Sequence, residues 1–286
     1  MTYNMLYRYI LDLLKKAGID SPAFDTLCLF ESVFDMNRHK LIMEGNRKVL
    51  QEDSDKILKM AERRASGYPL QYIVGKWEFM NLEFFVGDGV LIPREDTSVV
   101  VELCLDGIKE RGFKNPVILD LCAGSGAISV ALAKYADNSK VTALELSQKA
   151  MQYLRKNIAY NSCNNVSAVY GDVFKDTFKF SKDEFDVIIS NPPYIITDEI
   201  KTLQKEIQFE PTLALDGGSD GYDFYKKIIA DWTRCLKKGG VLVLELGENQ
   251  FDTVKELMMK QGFDNIVESY DIQNIKRGIR GVKLRN

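Results

Sequence analysis

The chain has 286 residues, with 38 basic and 41 acidic side chains, five cysteines and a single histidine. At roughly 100–200 residues per domain this length fits one large domain or two small ones. Hydrophobic content of 45% and charged content of 28% match an ordinary globular protein and exclude wholesale disorder. A formal net charge of −3 offers no general phosphate-binding surface, which needs clustered Lys and Arg. One histidine excludes a His-rich zinc centre, so no metal is expected, and it confines imidazole chemistry to His39. His39 lies in the polar stretch Asn37-Arg38-His39-Lys40, where a solvent-facing or capping role is expected. The cysteines Cys28, Cys104, Cys122, Cys163 and Cys235 form no C-x-x-C pair and are odd in number. This argues against a disulfide or metal scaffold and for a reducing, cytoplasmic setting. Arg8, Asp12, Lys15 and Lys16 interrupt the N-terminus, so it is not read as a signal peptide. No apolar run approaches the ~18 residues of a membrane span.

In chain order, the first elements are helical. Leu6, Ile10, Leu13, Leu14 and Ala17 share one helix face that Gly18 can close. Ser21-Pro22 reads as an N-cap followed by a first-turn proline, opening a helix expected to bury Phe24, Leu27, Cys28, Phe30 and Val33. Asn37 can cap a short third helix, and Ile57, Leu58 and Ala61 mark a fourth. Residues 1–70 are therefore expected to form a helical bundle. Residues 71–91 read as a strand-like hairpin linker: Gln71–Val74, Trp77–Phe79 and Leu82–Val86, broken by Gly75 and Asn81. Residues 92–286 alternate strand and helix. Strands are expected at Val117–Leu121, Val141–Leu146, Val166–Tyr170, Phe185–Ser190 and Val241–Leu246, with helices at Ala127–Tyr135, Gln148–Tyr160 and Phe251–Gln261. Phe263–Tyr270 and Gly278–Leu284 follow as two consecutive strands. Near-continuous apolar strands joined by helices imply an α/β fold: a mostly parallel sheet covered on both faces, with an antiparallel edge hairpin at its end.

The run Asp120-Leu121-Cys122-Ala123-Gly124-Ser125-Gly126 passes from strand into helix. Glycines at such a turn let a ligand approach the backbone, and the helix start presents free N–H groups; a plain tight turn is the alternative. Glu145 ends the next strand, where an acid can accept both hydroxyls of a ribose. The pattern resembles the first motif of Rossmann-like methyltransferases that use S-adenosylmethionine, more than the Gly-x-Gly-x-x-Gly of dinucleotide binders. That motif more often has glycine where Cys122 stands, and a cysteine there makes a positive φ costly. In that fold an acid such as Asp172, at the end of the third strand, holds the adenine amine and the next residue, Val173, contacts the ring. Alternatively Asp172 is a loop residue satisfied by its own backbone. Asp120, Glu145 and Asp172 are expected to form an acidic pocket mouth, which suits a cationic sulfonium better than a pyrophosphate.

The fourth strand runs directly into Asn191-Pro192-Pro193-Tyr194. Two prolines fix φ and remove two N–H donors. The Asn191 side-chain oxygen and the Pro192 carbonyl are then left as acceptors able to grip both hydrogens of a planar NH₂, with Tyr194 stacked on its plane. Such a nitrogen is a poor nucleophile because its lone pair is delocalised. Orientation and fixed acceptors, rather than a strong base, are what its chemistry needs.

That motif alone does not choose between glutamine amides, adenine and guanine. A longer ordered set does: Arg63-Arg64, Gly67-x-Pro69-Leu70-x-Tyr72-Ile73-x-Gly75, Leu91-Ile92-Pro93-Arg94-x-x-Thr97, the glycine loop, Asn191–Ile195, Phe209-Glu210-Pro211, Leu215-Asp216-Gly217-Gly218-x-x-Gly221-x-x-Phe224-Tyr225 and Leu244-Glu245-Leu246-Gly247. Over about residues 60–286 this set resembles the peptide chain release factor N(5)-glutamine methyltransferase family (PrmC/HemK type). The resemblance implies transfer of a methyl group from S-adenosylmethionine to the glutamine amide of the Gly-Gly-Gln motif in class I release factors. It implies that Asn191, Pro192, Pro193 and Tyr194 hold the amide. It gives Asp120, Cys122, Ala123, Gly124, Ser125, Gly126, Glu145, Asp172, Val173 and Asn191 to the cofactor. Ile92 and Arg94 would line the target channel, although Arg94 can instead simply pair with a neighbouring acid. The helical domain would help receive the release factor, and a monomer is expected. The rivals are an adenine or guanine amino-methyltransferase acting on nucleic acid, an NAD-dependent oxidoreductase, and a non-catalytic ribosome-associated module. The first lacks its basic channel here, the second leaves Asn191–Tyr194 unemployed, and the third has no need of an intact motif.

Overall fold

The computed structural model describes residues 1–284, which divide into two compact units: Met1–Lys76 with Gln204–Phe209, and Trp77–Leu203 with Glu210 onward. The first unit is helical: α1 (Tyr3–Lys16), α2 (Pro22–Phe34), α3 (Arg38–Glu44), α4 (Gln51–Ala65) and α5 (Leu70–Val74). Thr2 caps α1 by accepting from the Met5 N–H, Gly18 follows it at φ 74°, and Asn37 caps α3 by accepting from Lys40. His39 is exposed on α3.

Two expectations in this unit fail for physical reasons. The buried side of α2 carries Asp25, Thr26, Leu29 and Phe30, while Phe24 is 54% exposed and Leu27, Cys28 and Val33 are only half-buried. Asp25 turns inward because its carboxylate meets Arg64 of α4 at 2.6 Å, and Arg64 also reaches Glu206 at 2.9 Å. A buried ion pair thus rotates the face that hydrophobicity alone selects. Gln71–Val74 is not a strand but lies in α5, despite its β-branched Ile73 and Val74. Pro69 at its N-cap and Gly75 at φ 79° at its C-cap confine the segment to little more than one helical turn. The hairpin itself is short, β1 (Lys76–Phe79) and β2 (Leu82–Phe85), joined by Met80 and Asn81, both at positive φ as a two-residue hairpin turn requires.

The second unit is built on a seven-stranded sheet. After α6 (Thr97–Arg111) come β3 (Val117–Leu121), α7 (Ala127–Tyr135), β4 (Lys140–Glu145), α8 (Gln148–Tyr160), β5 (Val166–Tyr170), β6 (Phe185–Ser190), α9 (Asp223–Asp231), β7 (Leu236–Glu245), α10 (Phe251–Lys260), β8 (Phe263–Tyr270) and β9 (Lys276–Lys283). The order across the sheet is β5-β4-β3-β6-β7-β9-β8, parallel through β7. The final hairpin is not simply appended: β9 inserts antiparallel between β7 and β8, leaving β8 at the edge.

Strand residues alternate between two cores, as a pleated strand must. Ile118, Val187, Ile189, Val241 and Val243 pack with α6, α7 and α8 on one face. Leu119, Leu121, Ile188, Leu242 and Leu244 pack with α9 and α10 on the other. Both faces are covered, so this is an α/β sheet of the Rossmann-like methyltransferase type. Strand order reverses between β3 and β6, and ligands of such sheets bind at the carboxyl ends of the strands at that switch. Among the described residues no helix is long and apolar enough to cross a membrane.

Candidate active site

A cavity opens at the carboxyl ends of β3, β4, β5 and β6. From the β3 end it is lined by Cys122, Ala123, Gly124 and Ser125; from β4 by Glu145, Leu146 and Ser147; from β5 by Gly171, Asp172, Val173 and Phe174; and from β6 by Asn191 and Pro193. Its other walls are Gly89–Arg94, Thr97, the segment Pro211, Leu213 and Ala214, and Phe224 of α9.

The glycine loop is held in an unusual shape. Gly124 and Gly126 have φ of 55° and 83°, and Cys122 has φ 61°. Cys122 thus occupies the left-handed region that is costly for a cysteine. The residue adopts it anyway, at a strain of roughly 1–3 kcal/mol. What holds the loop is Glu145: one oxygen accepts from the Gly124 N–H at 2.7 Å, the other from Ser147 N–H at 2.6 Å. Glu145 is only 8% exposed, and burial raises its pKa against the opposing backbone hydrogen bonds. Burial likewise pushes the Cys122 thiol up, reinforced by the nearby Glu145, so it stays protonated.

The acidic mouth consists of two acids, not three. Asp172 lines the cavity, accepts from the Phe174 N–H at 2.8 Å and faces Lys175 at 3.2 Å. Asp120 does not reach the cavity. It is fully buried, accepts from the Ser129 hydroxyl, and burial lifts its pKa to about 7. Its Oδ1 has no hydrogen-bond partner among the described residues. Gly126, at the N-cap of α7, also lies off the cavity wall; a Cβ there would come 2.5 Å from Leu154.

At the β6 end, Asn191 and Pro193 face the cavity whereas Pro192 and Tyr194 do not line it. Tyr194 is half-buried, and its hydroxyl donates to Glu245 of β7 at 3.4 Å. Burial and that carboxylate raise its pKa. The segment after it is clasped by the Leu215–Gly218 stretch: Ile195 N–H donates to Leu215 O at 2.9 Å and Gly217 N–H to Ile195 O at 2.8 Å. Gly217 is required there, since a Cβ would sit 2.6 Å from the Tyr194 backbone. Gly247 also lies close to Tyr194, with a Cβ position 3.0 Å from its ring.

Ile92 and Arg94 both line the cavity, and Arg94 also pairs with Glu210. Glu210 is 5% exposed and accepts from the Ile92 N–H at 3.0 Å, so one buried carboxylate staples the Leu91–Arg94 wall to the Pro211–Ala214 wall. Glu210, Thr97 and Glu245 belong to the ordered motif set, but sequence reading gave them no role. Leu146, Phe174, Leu213 and Phe224 carried no signal beyond being apolar.

Comparison with known proteins agrees with this architecture. Residues 6–75 match the family model of the PrmC N-terminal domain, and residues 99–210 match that of the methyltransferase small domain. The release factor glutamine methyltransferase of Fusobacterium nucleatum is 38% identical over 93% of this chain and 75% of its own length. That of Thermodesulfovibrio yellowstonii is 40% identical over 81% of this chain and 82% of its own length. A methyltransferase from Pyrococcus furiosus covers 82% of this chain and 100% of its own, with a TM-score of 0.52 and 21% identity, a likeness of fold. By its motifs, its two family-model matches and these relatives, the chain belongs to the release factor glutamine methyltransferase family.

Proposed function

We propose that this protein transfers a methyl group from S-adenosylmethionine to the side-chain amide nitrogen of the glutamine in the Gly-Gly-Gln motif of class I release factors. The observation that carries this reading is the meeting, in one cavity, of the Cys122–Ser125 loop, Glu145 and Asp172 with Asn191 and Pro193 at the β6 end.

The donor set fits the cofactor. Glu145 and Asp172 supply negative charge for a sulfonium and acceptors for ribose and adenine, while Leu146, Val173 and Phe174 offer apolar surface to a ring. Cys122–Ser125 bring backbone to the same wall, with Gly126 behind them. When bound, S-adenosylmethionine supplies a methyl group activated by the neighbouring sulfonium.

The chain's own residues do the rest. Asn191 Oδ1 and the Pro192 carbonyl accept the two amide hydrogens, orient the nitrogen and stabilise the positive charge it gains. Pro193 shapes the wall, and Tyr194 braces the turn and packs beside the amide. Holding the nitrogen near the methyl donor contributes several kcal/mol by proximity alone. Forming the nitrogen–methyl bond would break the sulfur–methyl bond and leave S-adenosylhomocysteine, and the amide proton would then pass to water, so no imidazole is required. Ile92 and Arg94 guide the glutamine inward, and the helical unit receives the release factor. Residues 1–85 hold 12 basic and 12 acidic groups, which favours a protein partner over a stable nucleic-acid complex. The working unit is a cytoplasmic monomer.

Incubation with tritiated S-adenosylmethionine and, in parallel, a class I release factor, its Gly-Gly-Ala variant, DNA and RNA tests this. Label on the unaltered release factor alone is expected. Label on nucleic acid would instead make the protein an adenine or guanine amino-methyltransferase.

A further inference from the structure

We propose that Gln250 is a positioning residue that holds the far end of the Asn191–Tyr194 turn, so that the Pro192 carbonyl keeps one fixed place relative to Asn191. The inference rests on the function proposed above and deepens it.

Gln250 stands at the N-cap of α10 and is 8% exposed. Its side chain ties together chain segments that follow β6 and β7 and precede α9. Its Nε2 donates to the Tyr194 carbonyl and to the Gly221 carbonyl, both at 3.2 Å. Its Oε1 accepts from the Gly247 N–H at 2.9 Å and from the Tyr225 hydroxyl at 3.0 Å. These partners admit one orientation of the amide. An N–H only donates and a carbonyl only accepts, so turning the amide over would set donor against donor and acceptor against acceptor. Two glycines make room for it. A Cβ on Gly247 would lie 2.7 Å from Oε1, and a Cβ on Gly221 would lie 2.9 Å from Nε2 and 2.7 Å from the Tyr194 carbonyl oxygen.

The turn needs such a hold. Proline fixes φ at residues 192 and 193 but leaves their ψ, and both torsions of Tyr194, soft. The start of the turn is fixed by β6, which ends at Ser190 inside the sheet. Fixing the Tyr194 carbonyl at the other end removes the remaining freedom, and the Pro192 carbonyl between the two can no longer swing. The backbone bonds from Ile195 N–H to Leu215 and from Gly217 N–H to Ile195 continue the hold beyond it. Gln250 does not line the cavity, so it acts through the turn and not on the substrate.

Two variants, compared with the unaltered protein, test this. Gln250→Met keeps the volume and loses all four hydrogen bonds, and Gln250→Ala loses them while leaving space for water; where only one folds, that one decides. The kcat for methyl transfer to the release factor is expected to fall about tenfold, as the loss of a few hydrogen bonds allows. The KM for the release factor and the affinity for S-adenosylmethionine are expected to stay unchanged. Hydrogen exchange in ligand-free protein is expected to quicken at the Ile195 and Gly217 N–H groups, and not at the Ala123 N–H, which donates to Leu144 in the glycine loop. A folded variant with wild-type kcat, or with exchange quickened equally at Ala123, overturns the inference. A wild type that methylates no release factor overturns the function instead, while exchange still decides whether Gln250 holds the turn.

Discussion

At the glycine-loop end the cavity wall is backbone, bent through three left-handed residues and pinned by a carboxylate that receives two N–H groups. At the Asn191 end the wall is a proline-stiffened turn whose orientation depends on side chains brought from β7 and from the start of α6. The first arrangement suits recognition of a ligand by shape and charge, and tolerates an imperfect residue such as Cys122 at the cost of strain. The second must present one atom, in one orientation, to a weak nucleophile. Damage at the first end should weaken binding; damage at the second should stop chemistry.

Substitutions can break this division of labour, beginning with the largest effect. Asn191→Ala is expected to lower kcat for methyl transfer by about 10²–10³-fold, as removal of one preorganised transition-state contact does elsewhere. Calorimetry should find S-adenosylmethionine affinity nearly unchanged; a comparable loss of affinity would assign Asn191 to the cofactor instead. Glu145→Ala reverses the pattern. It leaves two N–H groups without their charged acceptor and should weaken cofactor binding by roughly 10–100-fold, from hydrogen bonds of about 1.5–3 kcal/mol. Glu210→Ala frees Arg94 and the Ile92 N–H, and is expected to raise KM for the release factor about tenfold with cofactor affinity intact. Equal effects on both ligands would mean that the staple supports the whole cavity.

Smaller effects concern the fold beneath the loop. Asp120 titrates near 7 when folded, above ordinary carboxylate values, so the folded chain holds a proton that the unfolded chain releases. Stability from this group is present at low pH and is lost as pH rises toward 7. Asp120→Asn should raise the melting temperature at about pH 8 and leave it nearly unchanged near pH 4. A variant destabilised at both pH values would show that the ionised carboxylate is needed. Cys122→Gly relieves the positive φ and should raise the melting temperature by a few degrees, about 1 kcal/mol.

Much of the sheet was legible because parallel strands covered on both faces are continuously apolar, and β3, β5 and β6 fall where that signal lies. The α5 turn was not, because the β-branched pair Ile73-Val74 outweighed the flanking Pro69 and Gly75 in the reading. The face of α2 was hidden by Asp25–Arg64, a pair 39 residues apart. Within the site, local motifs found the loop and the Asn191 turn, since each is a contiguous run at a strand end. They misplaced Asp120, because alternation along β3 points it away from the cavity into the core with Ser129. The Asn191–Thr97 and Tyr194–Glu245 hydrogen bonds span 94 and 51 residues. No local pattern could show those contacts, although Thr97 and Glu245 stood in the ordered set.

The most direct test is to locate the methyl group. Release factor treated with this protein and S-adenosylmethionine is digested and sequenced by tandem mass spectrometry. A single added methyl on the side-chain nitrogen of the Gly-Gly-Gln glutamine is the expected result. A methyl on any other residue, or on the backbone, would contradict the assignment of Asn191 and Pro192 as the grip on a planar amide.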